Sequence, residues 1–235
     1  MRRSILLGVM AIALAFPTAV FADTTEPPGS GGPGAQTYHF RNMGAGGFAV
    51  FTNLAWTEEN PAAGTYFSTY VDFSSQVSTD GGQSYASSYV CVFSDSFSID
   101  ASGNWEWLSS VGGCADGATI STDRRLGKAT VQGSIPVLDC ILWDEETGEC
   151  LEIVDLGSID VDLTLTGTGR TYRYHGTGSG GTAGQYQYAY HGTGSNRSAV
   201  PSGTIEFNGQ SLTEGATQVD GLLFNSRDGW FEVSI

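Results

Sequence analysis

Between Ser158 and Leu165 the chain alternates strictly, with Ile159, Val161, Leu163 and Leu165 set against Ser158, Asp160, Asp162 and Thr164. A two-residue period places every second side chain on the same side, which is the pattern of a half-buried strand. Past the first 22 residues no stretch sustains a helical period. Similar short runs recur instead, separated by Gly, Asp and Ser: 47–56, 65–77, 85–99, 105–108, 117–121, 128–135, 137–143 and 149–155, then 202–207, 217–224 and 230–235. Many short strands joined by turn residues imply an all-β fold, an antiparallel β-sandwich of jelly-roll-like type. An outer-membrane barrel is the rival. Several strands carry polar residues on both faces where a lipid-facing band must be apolar, which counts against it.

The alternating run leads into the most distinctive part of the chain. Thr166-Gly167-Thr168-Gly169 is followed by Tyr172-Arg173-Tyr174-His175 and Tyr186-Gln187-Tyr188-Ala189-Tyr190-His191, and His-Gly-Thr-Gly-Ser occurs at both 175–179 and 191–195. This is expected to be a long Gly/Tyr-rich hairpin. Paired about Gly180, it sets Tyr174 opposite Tyr186 and Tyr172 opposite Tyr188, with Tyr190 beside Arg170. Centred on Ala183, it sets His175 opposite His191. Glycine-rich strands specify register weakly, so both remain open. In the first register Tyr172, Tyr174, Tyr186, Tyr188 and Tyr190 share one face. Such a row is either a ligand platform that stacks on sugar rings or ordinary cross-strand packing.

Residues 1–22 have the form of a secretory leader: Arg2 and Arg3, an apolar Ile5–Phe16 run, and Val20-Phe21-Ala22 as a cleavage site. Cleavage near Ala22 is expected to place the protein outside the cytoplasm, secreted or periplasmic, and the short Ala-rich leader has a bacterial look. Residues 23–36, rich in Pro and Gly, are expected to be a flexible linker, and 37–235 a single β-sandwich domain. Losing two arginines takes the formal charge from −15 to −17, with Lys128 the only lysine. So acidic a chain repels phosphate backbones and anionic lipid, which disfavours nucleic acid and membrane insertion.

Export makes disulfides the default for the four cysteines. Sequence neighbours are expected to pair, Cys91 with Cys114 and Cys140 with Cys150, the latter across a hairpin tipped by Asp144-Glu145-Glu146-Thr147-Gly148. No CxxC or HxxxH spacing supports zinc.

The remaining motifs carry little chemistry. Gly176-Thr177-Gly178-Ser179-Gly180-Gly181 fits GxGxxG, but no helix follows, so it is expected to be a flexible hairpin loop. His39, His175 and His191 are the only imidazoles. The two in the repeated context could join His39 on zinc or copper, but exposed strand-end histidines are far commoner, and no metal is expected. Glu106 lies between Trp105 and Trp107 and alternates away from both, and no spacing nominates a second acid for sugar cleavage. Asp100, Ser102 and Asn104 alternate oxygens as calcium loops do, without the closing acid. Asn196-Arg197-Ser198 matches a glycosylation sequon. No nucleophile elbow, HExxH or Walker sequence occurs.

The chain is therefore expected to be an acidic, secreted, non-enzymatic binding or structural module with no cofactor and no metal. Its expected partners are a neutral carbohydrate held by the five tyrosines, or another cell-surface protein. A polysaccharide hydrolase on the same sandwich and a self-associating envelope protein are the alternatives.

Overall fold

The computed structural model describes residues 37–54, 62–80, 83–143, 147, 150–182 and 186–234. The leader and linker expected over 1–36, Trp56 in the 47–56 run, and the acids at the 140–150 hairpin tip lie outside the described residues. Eleven strands and no helix occur among those described. They are β1 (Thr37–Thr52), β2 (Gly64–Asp80), β3 (Gln83–Ile99), β4 (Trp105–Asp116), β5 (Thr119–Thr122) and β6 (Lys128–Trp143), then β7 (Cys150–Gly167), β8 (Tyr172–Thr182), β9 (Tyr186–Phe207), β10 (Gln210–Ser211) and β11 (Gln218–Ser234). All join one antiparallel sheet in the order β4-β3-β2-β1-β11-β9-β7-β6-β5, with β8 and β10 also paired to β9. The all-β antiparallel class expected from the alternation is what the chain adopts.

Several expected strands are fused. The runs 128–135 and 137–143 form the single strand β6 with Pro136 inside it. β5 pairs only with Ala129–Gln132, so Pro136 has a ladder neighbour on one side alone, opposite Ser158. A residue without an N–H is tolerated there. The runs 149–155 and 158–165 likewise form β7. Gly157, at φ +115°, takes up the register shift between Val137 and Leu138 in a conformation that side chains avoid. The runs 217–224 and 230–235 form β11, kinked by a bulge between Ser226 and Asp228.

The two ends of the sheet are consecutive in the chain. β4 and β5 are separated by Gly117 and Ala118 alone, so the sheet must curl until its edges approach. Ser88 holds this corner: its carbonyl accepts the Gly117 N–H at 2.8 Å, and its hydroxyl donates to the Ala118 carbonyl at 2.9 Å. β4 then lies against β6, where a Cβ at Gly113 would stand 2.7 Å from the Pro136 carbonyl. Strands facing one another across a curled sheet are compatible with the two layers of a sandwich.

One core fills the curl. Ile159, Val161, Leu163 and Leu165 are buried, as their alternation requires, with Val131 and Ile135 of β6, Val71 and Phe73 of β2, Val90 and Val92 of β3, and Leu223 of β11. On β1 the core parity is Ala49 and Phe51. Phe48 and Val50 are half-buried on the opposite face with Tyr70 and Tyr89, so this part of the sheet is aromatic outside as well as inside. Leu126, in the β5–β6 loop, is fully buried at φ +55° and plugs one end of the core.

Both expected disulfides form. Cys91 and Cys114 are direct cross-strand partners with Cα atoms 4.1 Å apart. Cys140 and Cys150 do not face each other as the simple hairpin implied. With register shifts in both strands, Cys140 stands opposite Ile153 and Cys150 opposite Trp143, and the bridge runs obliquely over 5.8 Å between Cα atoms. No helix among the described residues is long and apolar enough to cross a membrane.

Candidate functional site

The Gly/Tyr-rich hairpin is the continuation of β7 and β9 beyond the core. β9 pairs with β7 from Ile159↔Phe207 to Gly167↔Ala199, and with β8 from Tyr172↔Asn196 to Thr182↔Tyr186. β8 therefore runs along the same edge of β9 that β7 leaves. Residues 168–171 oppose only Arg197 and Ser198, a double bulge closed by the Thr168 N–H on the Ser198 carbonyl at 2.7 Å and by Arg197 Nε on the Thr168 carbonyl at 3.4 Å. The other edge of β9 is bonded to β11 through this whole region.

Neither expected register occurs. Tyr174 opposes Gly194, Tyr190 opposes Gly178, and Tyr188 opposes Gly180, while Tyr172 faces Asn196 and Tyr186 faces Thr182. Each central tyrosine thus meets a glycine where the expected pairing set tyrosine against tyrosine. A ring can lie over a partner that has no side chain, whereas two facing rings compete for the same space. All five tyrosine positions still fall on one parity. The GxGxxG segment is not a flexible loop either, since Gly176–Gly181 is extended strand within β8.

Tyr172 is 65% exposed and Tyr174 is 44% exposed. The Tyr174 hydroxyl donates to the Asn225 carbonyl at 3.2 Å, and partial burial raises its pKa. Tyr186, Tyr188 and Tyr190 are placed by register. Between Asp162 and Glu206 the sequence holds no carboxylate, and its formal charges are Arg170, Arg173 and Arg197. The neighbouring strand β11 sets Asp228 opposite Thr193 and Glu232 opposite Ala189, on the alternate parity to the tyrosines. Sugar cleavage needs two carboxyls about 5–10 Å apart, and the hairpin supplies neither.

The opposite parity brings two of the three imidazoles together. His175 opposes Thr193 and His191 opposes Thr177, so the histidines are diagonal neighbours, with ring centroids 5.0 Å apart and an edge-on angle of 76°. His39 is in β1, opposite Glu232 of β11, two strands away from β9. Among the described residues no three His, Cys, Asp or Glu side chains gather as a metal site.

A second aromatic group occupies the end of β2–β3–β4. Phe97 stacks on Trp105 at 4.7 Å and on Tyr66 at 5.9 Å, and meets Trp107 edge-on at 6.0 Å. Trp105 and Trp107 share the Phe97 side, and Glu106 opposes Ser98 at the alternate position. Both carboxylate oxygens of Asp100 are engaged within its own turn, accepting the Ser102 and Asn104 N–H groups and the Asn104 amide. Those bonds hold its pKa below the usual carboxylate range. The sequon Asn196-Arg197-Ser198 lies within strand β9.

Sequence reasoning missed Asp72. It opposes Cys91, and its Oδ2 accepts the Tyr89 hydroxyl at 3.2 Å. Burial raises its pKa, against the opposing pull of Tyr89 and the Phe73 N–H. Burial, then the Asp72 charge, pushes Tyr70 up to about 12, and the same causes raise Tyr89. The available signal was an acid inside the apolar run Tyr70-Val71-Asp72-Phe73.

No protein-family model matches the chain, and no curated protein matches it at the significance required. A solved structure described as an acetoacetate decarboxylase-like enzyme from Sphingomonas wittichii RW1 is similar over 83% of this chain and 90% of that chain. Its sequence identity is 12% and its TM-score 0.28. A likeness at that level carries no argument about function.

Proposed function

We propose that this is an extracellular, non-enzymatic β-module that binds a neutral polysaccharide strand along the tyrosine row of the β8–β9 hairpin. The observation that carries the reading is the row itself: five tyrosine positions on one parity of a paired, carboxylate-free strand extension. From the Tyr172 row to the Tyr186 row is ten residues along β8, about 33 Å at the rise of a strand. A linear glycan can lie along such a track with successive rings over successive tyrosines, and Arg173 and the hairpin's Thr and Ser residues supply polar contacts beside it. Two disulfides and a leader-like N-terminal sequence agree with an oxidising compartment outside the cytoplasm.

The test is retention of the protein on insoluble polysaccharides and on a glycan array, with released reducing sugar assayed in the same samples. Retention without release, lost when Tyr172 and Tyr188 are changed to Ala, is the expected result. Release of reducing sugar, or retention indifferent to both substitutions, overturns it.

One observation favours a protein partner as a second reading. The disulfide-closed β6–β7 hairpin exposes Leu138, Ile141, Leu142, Leu151, Ile153 and Leu156, more apolar surface than a solvated hairpin needs. Self-association on sedimentation that disappears with Ile141→Asp and Ile153→Asp supports that reading.

A further inference from the structure

At the end of the core, beside the base of the tyrosine hairpin, is a half-open cavity of about 610 Å³. It is lined by β1 at Met43–Ala45, by Thr122–Arg124 where β5 turns towards β6, and by Asn225 and Ser226 of β11. Thr122 Oγ1 and Asn225 Oδ1 are shielded from solvent and have no hydrogen-bond partner in the protein. The same is true of Ser195 Oγ, which belongs to the residue opposite Asn225 on β9. Asn225 is 8% exposed and Ser195 1%. Ser195 is not part of the lining, but Thr122 and Asn225 are. Buried polar atoms are almost always paired, so two orphaned oxygens on one cavity wall mark a site that something else completes.

Asn225 is fixed from two directions. Its Nδ2 donates to the Arg124 carbonyl at 3.4 Å, and its own carbonyl accepts the Tyr174 hydroxyl at 3.2 Å. The Arg124 carbonyl can only accept, so the amide cannot be flipped, and Oδ1 is the atom left open. The hydrogen bonds still to be made in the cavity are thus one acceptor, Oδ1, and the Thr122 hydroxyl, which both donates and accepts. Asp123 and Arg124 both line the cavity, so its formal charges cancel, and an anion would still meet the lone pairs of Oδ1; a neutral ligand fits this lining better than phosphate, sulfate or carboxylate. A bare metal ion would leave most of the volume empty and find a single carboxylate. Hydroxyl groups carried on an apolar frame fit, because they donate to Oδ1, exchange bonds with Thr122, and set C–H surface against Met43 and Ala45.

We propose that this cavity is a second binding site, independent of the tyrosine row, for a neutral monosaccharide-sized polyol such as the end residue of a glycan. The test is an NMR titration of the ¹⁵N-labelled protein with D-glucose, D-galactose and N-acetyl-D-glucosamine in turn. Saturable shifts centred on Ala45, Asn225 and the Asn225 side-chain amide are expected for at least one sugar. Thr122→Val keeps the shape and removes only the orphaned hydroxyl. It is expected to leave the thermal midpoint of the free protein unchanged or raised, and to weaken the sugar about tenfold, the worth of one hydrogen bond. No shifts with any of the three sugars overturns the proposal. So does Thr122→Val with undiminished affinity, or a lowered midpoint without loss of binding, which would show that water alone serves these oxygens. Polymer retention and the monosaccharide titration are separate readouts, so either site can fail without the other.

Discussion

Tyr174 lies so close over Gly194 that a methyl group added at Gly194 would overlap both the phenol ring and the Asn225 carbonyl to which that phenol donates. The glycine is what allows β8, β9 and β11 to be tied together at the base of the hairpin. Gly194→Ala must therefore push apart a backbone pair and expel the ring, and it is expected to cost about 3 kcal/mol in urea unfolding, at the upper end for overpacking. Tyr174→Phe keeps the ring and loses only the hydroxyl, for about 1 kcal/mol. Equal losses in the two variants would mean that the ring does not rest on the glycine.

Asp72 is a carboxyl whose folded pKa is raised by burial above its ordinary 3.8. The folded state then holds its proton more tightly than the unfolded chain. Stability from this group is fully present below pH 3.8 and falls as pH rises from there through the raised value. Asp72→Asn leaves an oxygen to accept the Tyr89 hydroxyl and removes the charge. The variant is expected to melt higher than the parent at neutral pH, with the gap closing as the solution is acidified towards pH 3.8. A gap that is constant with pH, or of opposite sign at neutrality, would count against burial as the cause.

How far the sequence carried depends on which force sets each feature. Ile159–Leu165 was legible because period-two burial fixes a strand and its inner face at once, and local cysteine pairing was legible because both bridges join strands adjacent in the chain. The fusion of strands across Pro136 and Gly157 was not, since each tolerates its position only because of which neighbours the sheet provides or withholds. The hairpin register was not legible for the same reason. Pairing by likeness set Tyr against Tyr, while packing set Tyr against Gly. Asn208-Gly209 is a local turn signal of the legible kind. Both residues have positive φ, 50° and 78°, and they turn β9 directly into β10, as Asn-Gly does in two-residue hairpins. The orphaned oxygens of Thr122, Ser195 and Asn225 come from three strands and have no local sequence signal.

The two disulfides are expected to differ in what they protect. In the chain-entropy account, bridges closing 23 and 10 residues are worth about 3.4 and about 2.7 kcal/mol, a small difference. Their positions separate them further. Cys91–Cys114 clamps β4 onto the core strand β3, whereas Cys140–Cys150 closes a hairpin whose Leu138, Ile141, Leu142, Leu151 and Ile153 are already exposed. Replacing Cys140 and Cys150 with Ser is expected to speed hydrogen exchange within that hairpin and shift global unfolding by only about 0.5 kcal/mol, because the tip can open by itself. Replacing Cys91 and Cys114 should lower global stability by about 3 kcal/mol. Equal global losses would show that the tip is coupled to the core.

Leu126 combines two costs that normally exclude each other. Its side chain is fully buried, and its φ of +55° is one that residues with a Cβ adopt only under constraint. The constraint is visible: its N–H donates to the Asp123 carbonyl at 2.8 Å, and its carbonyl is packed against Gly167, whose N–H donates to the Gly127 carbonyl at 2.9 Å. Leu126→Ala is expected to lose about 2–5 kcal/mol from the emptied core. Leu126→Gly removes the same packing and one methyl more, but it also releases the left-handed backbone from its Cβ penalty of about 1 kcal/mol. Glycine is therefore expected to be no worse than alanine here, reversing their usual order in a folded chain. Guanidinium unfolding of the two variants decides it. A glycine variant less stable than the alanine variant by 1 kcal/mol or more, about the ordinary glycine cost, would mean that the loop relaxes out of its left-handed turn once the leucine is gone.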